Sequence, residues 1–222
     1  MSRACADASA HGFASVCIPP FHVPLASSLM SGTTGRVCTV VSFPNGYCST
    51  RTKAHEASCL VSDGADEVDM VCNVPLLRRV ASAPTGEDVN LWCEDVLAVC
   101  EAAGEAGVKC IIEAGALTDF EVATASLLFR EARHRSAARG CKPPEFIKTS
   151  TGFNGYGGAT VKDVSIMAFC VRESGGKVKA SGGVGSGEQA RRIVEAGAER
   201  IGASKGVKIV TGDGGAGGGG GY

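Results

Sequence analysis

The chain has 222 residues, of which 44% are hydrophobic and 20% are charged, so it has enough apolar side chains to bury a sizeable core. The net charge of −1 excludes a strongly basic surface, and nothing global favours binding to nucleic acid or to a membrane. Without a bilayer-spanning apolar run or a signal-like apolar segment after Met1, we expect a soluble cytoplasmic protein.

The predicted elements alternate along the chain. Strand-like apolar runs cover residues 13–18, 36–43, 66–73, 108–113, 145–149, 177–181 and 200–203, and helix-like segments cover residues 22–31, 50–63, 86–106, 119–139, 160–173, 186–197 and 204–210. This alternation is typical of parallel βαβ units. We expect one α/β domain over residues 1–210, either an open doubly wound sheet or a (β/α)8 barrel with one strand fewer. The Gly-rich residues 211–222 predict a disordered tail.

The cysteines and histidines show no metal pattern. The 11 Cys include no C-x-x-C pair, and several lie inside apolar runs, which indicates reduced and buried thiols. The four His have no ligand spacing. We therefore predict no metal site.

The third predicted strand, DEVDMVCN at residues 66–73, carries charge inside an apolar run. Side chains alternate along a strand, so Glu67, Asp69 and Asn73 share one face while Val68 and Met70 share the other. The apolar face should pack under helices, which points Asp69 into the barrel and places Asn73 near its rim. A buried carboxylate needs a partner or a cavity, so Asp69 is either functional or held in a structural ion pair.

Two lysines end neighbouring predicted strands, Lys148 in EFIKT and Lys179 in KVKASGG. Adjacent strands are about 5 Å apart, so the two ammonium groups should share one mouth of the barrel. Like charges disfavour protonation, and an unprotonated amine is what attacks a carbonyl. Lys148 as nucleophile, Lys179 as its activator and Asp69 for proton transfer form one interpretation. The other, which spacing leaves equally open, is that both lysines bind an anion or pair with carboxylates such as Asp69 and Glu113.

Gly-rich turns follow the last strands. SGGVGSGE at residues 181–188 and GASKGV at residues 202–207 each lead into a predicted helix, where backbone N–H groups can bind phosphate, although such turns also occur without a ligand. Residues 149–160, TSTGFNGYGGAT, are rich in glycine and hydroxyl groups and predict a mobile substrate loop. Cys17 ends FASVC and either lines the pocket or packs in the core.

Taken together and in this order, these motifs resemble those of the deoxyribose-phosphate aldolases. The resemblance is carried from about residue 12 to residue 210 by GFASVCIPP, VCTVVSFPNG, GADEVDMVCNV, VKCIIEAGALTD, FIKTSTGF, GGATVKDV, KVKASGGV and EAGAERIGASKGV. It implies a (β/α)8 TIM barrel and a class I lyase of deoxyribonucleotide catabolism that needs no cofactor. The implied reaction is the reversible cleavage of 2-deoxy-D-ribose 5-phosphate to glyceraldehyde 3-phosphate and acetaldehyde.

The resemblance also implies roles for individual residues. Lys148 would form the Schiff base, Lys179 would activate it and Asp69 would take part in proton relay. Thr151 would lie near the substrate hydroxyls, and Gly182, Gly183 and Ser204 near its phosphate. We add Gly202, Asn73 and Cys17 to the predicted substrate-binding residues.

The chain departs from the family pattern at its start. The family opens with a strand carrying Asp-His-Thr, whereas this chain begins in what should be the helix after that strand. The absent strand motivates an alternative, a catalytically impaired phosphosugar-binding protein. A second alternative is a Schiff-base lyase acting on a different phosphorylated sugar. The expected partner is a small phosphosugar, and a homo-oligomer is possible.

Overall fold

Residues 1–212 are described by the structure, a computed structural model, in which parallel strands alternate with helices. The strands are β1 (Ser15–Cys17), β2 (Arg36–Val41), β3 (Glu67–Val71), β4 (Gly107–Ile111), β5 (Phe146–Lys148), β6 (Lys177–Ser181) and β7 (Arg200–Gly202). The helices are α1 (Ser2–Ala10), α2 (Val23–Met30), α3 (Thr50–Ser62), α4 (Val74–Ser82), α5 (Gly86–Ala103), α6 (Asp119–Arg139), α7 (Val161–Val171), α8 (Gly187–Glu195) and α9 (Gly206–Thr211).

The strands form one sheet of seven in the order of the sequence, β1 to β7. A doubly wound sheet would reverse its strand order at a switch point, so that expectation was wrong. The sheet also curls back on itself. Arg200 on β7 donates to Ser15 Oγ on β1 at 3.4 Å, and Lys179 on β6 reaches Asp69 on β3 at 2.7 Å. The fold is therefore α/β and resembles a TIM barrel, with β1 and β7 each paired to one neighbour within the described residues.

Alternation along each strand separates an apolar layer from a polar interior. On β3, Val68 and Met70 are buried in the hydrophobic cluster that the helices cover, whereas Glu67 and Asp69 are buried among charged side chains. Each fully buried large apolar side chain contributes roughly 1.5–3 kcal/mol to folding. The helix-covered layer supplies the stability that allows the interior of the barrel to be charged.

Helix α4 was not predicted, because its sequence VPLLRRVAS is short and follows a strand directly. Its start signals are nevertheless clear. Asn73 is the N-cap, with Oδ1 accepting from Leu76 N at 3.0 Å, and Pro75 lies in the first turn, where a missing N–H costs nothing. The same kind of cap begins α8, where the side chain of Ser186 accepts from Gln189 N.

A buried ion pair between Lys53 on α3 and Asp95 on α5 lies near the end of β3. Lys53 Nζ lies 2.5 Å from Asp95 Oδ2 and donates to the Val71 carbonyl at 3.0 Å. Thr50 Oγ1 donates to the second oxygen of Asp95 at 2.9 Å. The carboxylate and the ammonium are thus both paired, which a buried charge requires.

The observed boundaries differ from the predicted ones mainly at strand ends. Several strands are shorter than the apolar runs that predicted them, because the ends of those runs belong to loops. Helix α9 continues to Thr211, one residue into the predicted tail, and residues 213–222 lie outside the described part of the chain. In residues 1–212, no helix combines the length and the apolar character needed to cross a membrane.

Candidate active site

The centre of the barrel interior is the Asp69 carboxylate, which three lysine side chains surround. Its Oδ2 lies 2.7 Å from Lys148 Nζ and 2.7 Å from Lys179 Nζ, and its Oδ1 lies 2.8 Å from Lys109 Nζ. Lys148 and Lys179 are register partners on β5 and β6, and Asp69 and Lys109 are register partners on β3 and β4. The structure therefore brings together the three residues that the sequence predicts as catalytic, and adds Lys109.

The electrostatics of this cluster depend on the carboxylate. Burial alone would raise the pKa of Asp69, but the three ammonium groups outweigh burial and hold it well below its usual range. Burial lowers the pKa of Lys179, yet the attraction of Asp69 outweighs that effect and leaves it raised. Two like charges alone would have shifted Lys179 in the opposite direction. The bridging carboxylate accounts for the difference, and the pairing of both lysines with Asp69 is the contact that the second interpretation of the sequence described.

A second layer of charge lies below this cluster, around Glu67. Lys109 Nζ is 2.7 Å from Glu67 Oε2, and Arg200 and Arg36 each approach Glu67 to 3.3 Å. Burial raises the pKa of Glu67, but the charges of Lys109 and Arg200 more than offset it, so the pKa is lowered. Burial lowers and the surrounding anions raise the pKa of Lys109, with a net increase. Glu67 and Lys109 thus link the cluster around Asp69 to β2 and β7.

Sequence reasoning missed Lys109, although a signal was present. The residue lies in the middle of the apolar run GVKCI and is fully buried. Alternation puts it on the interior face of β4, in register with Asp69. A lysine at the centre of an apolar strand indicates a buried partner of opposite charge, because an unpaired buried ammonium is too costly.

Two cysteines lie beside Asp69 on adjacent strands. Cys17 and Cys38 are register partners, their sulfurs and an Asp69 oxygen all lie within 4.8 Å of one another, and Cys17 is exposed. A hydrogen bond from Cys38 and the charges of Lys179 and Lys148 lower the pKa of Cys17 to about 6, because they outweigh the charge of Asp69 and the desolvation of the thiol by neighbouring side chains. These atoms could ligate a metal, but a cation would have to displace ammonium groups from Asp69.

The loop after β5 is held by Glu113, which the sequence argument named as a possible partner of the lysines and which instead binds this loop. Thr151 Oγ1 donates to Glu113 Oε2 at 2.6 Å and accepts from Phe153 N at 3.2 Å. Asn73, predicted to bind substrate, uses its Oδ1 to cap α4. Thr151 and Asn73 therefore lie near the barrel rim as expected, and both have hydrogen-bond partners within the protein.

The predicted phosphate residues lie in the turns after β6 and β7. Gly182 and Gly183 have φ values of 86° and 73°, which favour glycine. A Cβ on Gly202 would lie 2.4 Å from Ser181 Oγ, so a larger residue would not fit there. Ser204 is exposed in the turn before α9. These turns adjoin the lysine cluster, because Lys179 Cε would be 3.2 Å from that same Cβ.

Two buried hydroxyl groups at this end of the barrel have no hydrogen-bond partner among the described residues, those of Ser150 and Ser181. Ser150 follows β5 and Ser181 ends β6. Buried hydroxyls are usually paired, and unpaired ones mark places where a ligand or water can bind. Both hydroxyls adjoin the glycine turns, Ser150 beside Gly182 and Ser181 beside Gly202.

Comparisons with known proteins agree with this geometry. A family model described as DeoC/LacD family aldolase matches residues 1–214. The deoxyribose-phosphate aldolase of Thermoanaerobacter sp. strain X514 is 44% identical over 210 residues, which cover 95% of this chain and 87% of that protein. Deoxyribose-phosphate aldolase 1 of Bacillus licheniformis is 45% identical over 209 residues, covering 94% of this chain and 85% of the relative.

Solved structures show the same fold. The deoxyribose phosphate aldolase from Aeropyrum pernix, described as having a unique tetrameric structure, has a TM-score of 0.75 and 28% identity, covering 95% of this chain and 81% of its own. An aldolase named QR15 has a TM-score of 0.80 and 34% identity, covering 95% of this chain and 86% of its own. Sequence, fold and the lysine cluster all agree, and the chain belongs to the DeoC/LacD family of aldolases.

Proposed function

We propose that this chain is a class I aldolase that reversibly cleaves 2-deoxy-D-ribose 5-phosphate to glyceraldehyde 3-phosphate and acetaldehyde through a Schiff base on Lys148. The observation that carries the proposal is the position of Lys148, at the carboxyl end of β5, with Nζ bound to Asp69 beside Lys179. The side chain is almost fully buried, at 7% exposure, so its amine reacts in a site that excludes most water. The curated relatives at 44–45% identity are deoxyribose-phosphate aldolases.

In the proposed cycle, the unprotonated amine of Lys148 attacks the C1 aldehyde, and loss of water gives a protonated imine. The imine withdraws electrons from the C2–C3 bond while the C3 hydroxyl loses its proton. Bond cleavage releases glyceraldehyde 3-phosphate and leaves an enamine on Lys148. Protonation of the enamine at C2 and hydrolysis of the imine release acetaldehyde and regenerate the amine.

Asp69 and Lys179 would move the protons that this cycle requires. Lys148 Nζ and Lys179 Nζ each lie 2.7 Å from Asp69 Oδ2, a hydrogen-bond distance that allows direct proton transfer. Because its pKa is strongly lowered, Asp69 would hold a proton only transiently; between transfers it is ionised and stabilises the ammonium groups as the charge on Lys148 changes. Cys17 and Asn73 would complete the wall of the site near β1 and β3.

The substrate would lie with its phosphate toward the turns after β6 and β7. Gly182, Gly183, Gly202 and Ser204 would bind the phosphate through the backbone N–H groups of these two turns, each of which leads into a helix. The unpaired hydroxyls of Ser150 and Ser181 support a polar ligand at this end. Thr151, on the loop after Lys148, would face the substrate hydroxyls.

We further propose that the seven strands correspond to the second to eighth strands of a (β/α)8 barrel. The consecutive strand order supports this correspondence, as does the position of β1 and β7 at the two edges of the sheet. Helix α1 precedes β1 in the place of the helix that follows a first strand. A homo-oligomer and a cytoplasmic location stay predictions.

Borohydride trapping with 2-deoxy-D-ribose 5-phosphate, followed by peptide mass mapping, tests the proposal. We expect a reduced adduct on Lys148, no adduct in Lys148→Ala, and a normal adduct in the matched surface variant Lys142→Ala. If 2-deoxy-D-ribose 5-phosphate raises the Tm of the folded protein but no adduct forms, the chain would instead be a catalytically impaired phosphosugar-binding protein. An adduct formed only with another phosphorylated sugar would identify a different substrate for the same chemistry.

A further inference from the structure

The backbone of Glu113 has an unusual conformation at the carboxyl end of β4. Its φ and ψ are 56° and 54°, in the left-handed region that residues with a side chain rarely adopt. The side chain is buried at 4% exposure. Backbone strain of this kind persists only where the surroundings enforce it, and it is concentrated at functional sites. Glu113 follows β4, which pairs with β5, the strand that carries Lys148.

Both oxygens of the Glu113 carboxylate bind the segment that follows Lys148. Oε1 accepts from Thr151 N at 3.1 Å, and Oε2 accepts from Thr151 Oγ1 at 2.6 Å and from Asn154 Nδ2 at 2.9 Å. No ion pair of Glu113 occurs among the described residues. The carboxylate is thus held by neutral donors of one loop, and three donors converge on its two oxygens.

The turn that begins at Glu113 supports the same loop through its backbone. Ala114 N donates to the Thr149 carbonyl at 2.7 Å. A Cβ on Gly115 would lie only 2.2 Å from the Tyr156 carbonyl oxygen, so the two backbones are in contact there. Asn154 Nδ2 also donates to the Pro44 carbonyl at 3.2 Å, which joins this loop to the one after β2.

We propose that Glu113 is a positioning residue for the aldol reaction: its carboxylate fixes residues 149–154, directly after Lys148, so that Thr151 faces the substrate. This inference rests on the proposed function and deepens it. The geometry requires a carboxylate rather than an amide. A glutamine offers one acceptor oxygen, and in either orientation its NH₂ group faces a donor: the Asn154 NH₂ group in one and the Thr151 N–H in the other. Asn154 cannot turn over without losing its bond to Pro44.

Glu113→Gln tests the proposal in the full chain. We expect KM for 2-deoxy-D-ribose 5-phosphate to rise about tenfold, with a smaller fall in kcat, because Lys148 and Asp69 are untouched while the loop that meets the substrate is released. Hydrogen exchange of the peptide covering residues 149–154 should become faster, a readout that needs no activity. The matched control is Glu173→Gln, at an exposed glutamate far from the loop.

The double variant Glu113→Gln with Asn154→Asp restores the contact between these two positions, because the new NH₂ group at position 113 can donate to the new carboxylate, although the bond to the Pro44 carbonyl is lost. We expect this variant to recover part of the increase in KM and part of the protection from exchange. Unchanged KM, kcat and exchange in Glu113→Gln would overturn the proposal. Wild-type protein without turnover would refute the proposed function instead, and exchange would still report on the loop.

Discussion

Lys148 and Lys179 are register partners on β5 and β6, and both ammonium groups bind the same oxygen, Oδ2 of Asp69, at 2.7 Å. The carboxylate therefore separates two like charges that would otherwise repel each other directly. It also gives a proton a short route between the two amines. In the proposed cycle, catalysis would depend on this shared oxygen as well as on the two lysines.

The two lysines should differ in how much activity their loss removes. Lys148→Ala should abolish turnover because no other residue supplies the covalent bond, whereas Lys179→Met should lower kcat by about 10²–10⁴, the usual contribution of a proton-transfer group. Steady-state rates with 2-deoxy-D-ribose 5-phosphate measure both effects, with Lys142→Met as the control. Substantial turnover by Lys148→Ala would show that the mechanism is assigned to the wrong residue.

Asp69→Asn should destabilise the fold as well as stop the reaction. The change leaves three ammonium groups around a neutral side chain, and breaking a buried pair in this way costs about 3–5 kcal/mol. Urea unfolding measures the loss. Asp63→Asn, at an exposed position, is the matched control and should change the free energy of unfolding little. Equal stability of the two variants would mean that the lysine cluster does not need its carboxylate.

The same carboxylates predict the acid dependence of stability. The folded-state pKa values of Asp69 and Glu67 are lowered, so their contribution is fully present above the unfolded-state carboxyl pKa of about 4. It is lost as pH falls below that value toward the folded-state pKa. Thermal unfolding at a series of pH values should show a fall in Tm below about pH 4 that is shallower in Asp69→Asn. Parallel curves for the two proteins would contradict this assignment.

Cys17 should react as a thiolate at neutral pH. A hydrogen bond from Cys38, with the charges of Lys179 and Lys148, lowers its pKa to about 6. Alkylation by iodoacetamide, followed by peptide mapping, should therefore reach half its maximal rate near pH 6. Cys38→Ala removes the hydrogen bond and should move the midpoint toward the ordinary thiol value of about 8.5. A rate that still rises steeply above pH 8 in the unaltered protein would refute the prediction.

The Lys53–Asp95 pair should matter for stability and not for chemistry. Lys53→Met leaves the buried Asp95 carboxylate without its cation and should cost about 3–5 kcal/mol. Replacing both residues, as Lys53→Met with Asp95→Leu, should recover much of the loss because no unpaired charge remains. Urea unfolding of the single and double variants tests this, with Lys142→Met as the control. A double variant less stable than Lys53→Met would indicate that the pair itself is strongly favourable.

Local sequence patterns were sufficient to locate the strands, because the alternation of side chains in a strand repeats every two residues. Apolar runs located all seven strands of the described residues, and alternation placed Asp69 on the interior face of β3. The positions of Lys148 and Lys179 on consecutive strands predicted that they would meet. The short helix α4 was missed, because the capping residue Asn73 was interpreted as part of a substrate site and not as a helix start.

The arrangement of these elements in space could not be read from local patterns. Strand order and curvature arise from pairing between distant segments, so periodicity could not separate a barrel from a doubly wound sheet. The pKa of Lys179 is raised by a carboxylate 110 residues away in sequence, and Glu113 holds a loop 38 residues further along the chain. Alternation along the strands was enough to identify Asp69, Lys148 and Lys179 as candidates, because the period of side chains in a strand is a local property. Their partners, protonation and positions depend on distances in space, which only the folded chain specifies.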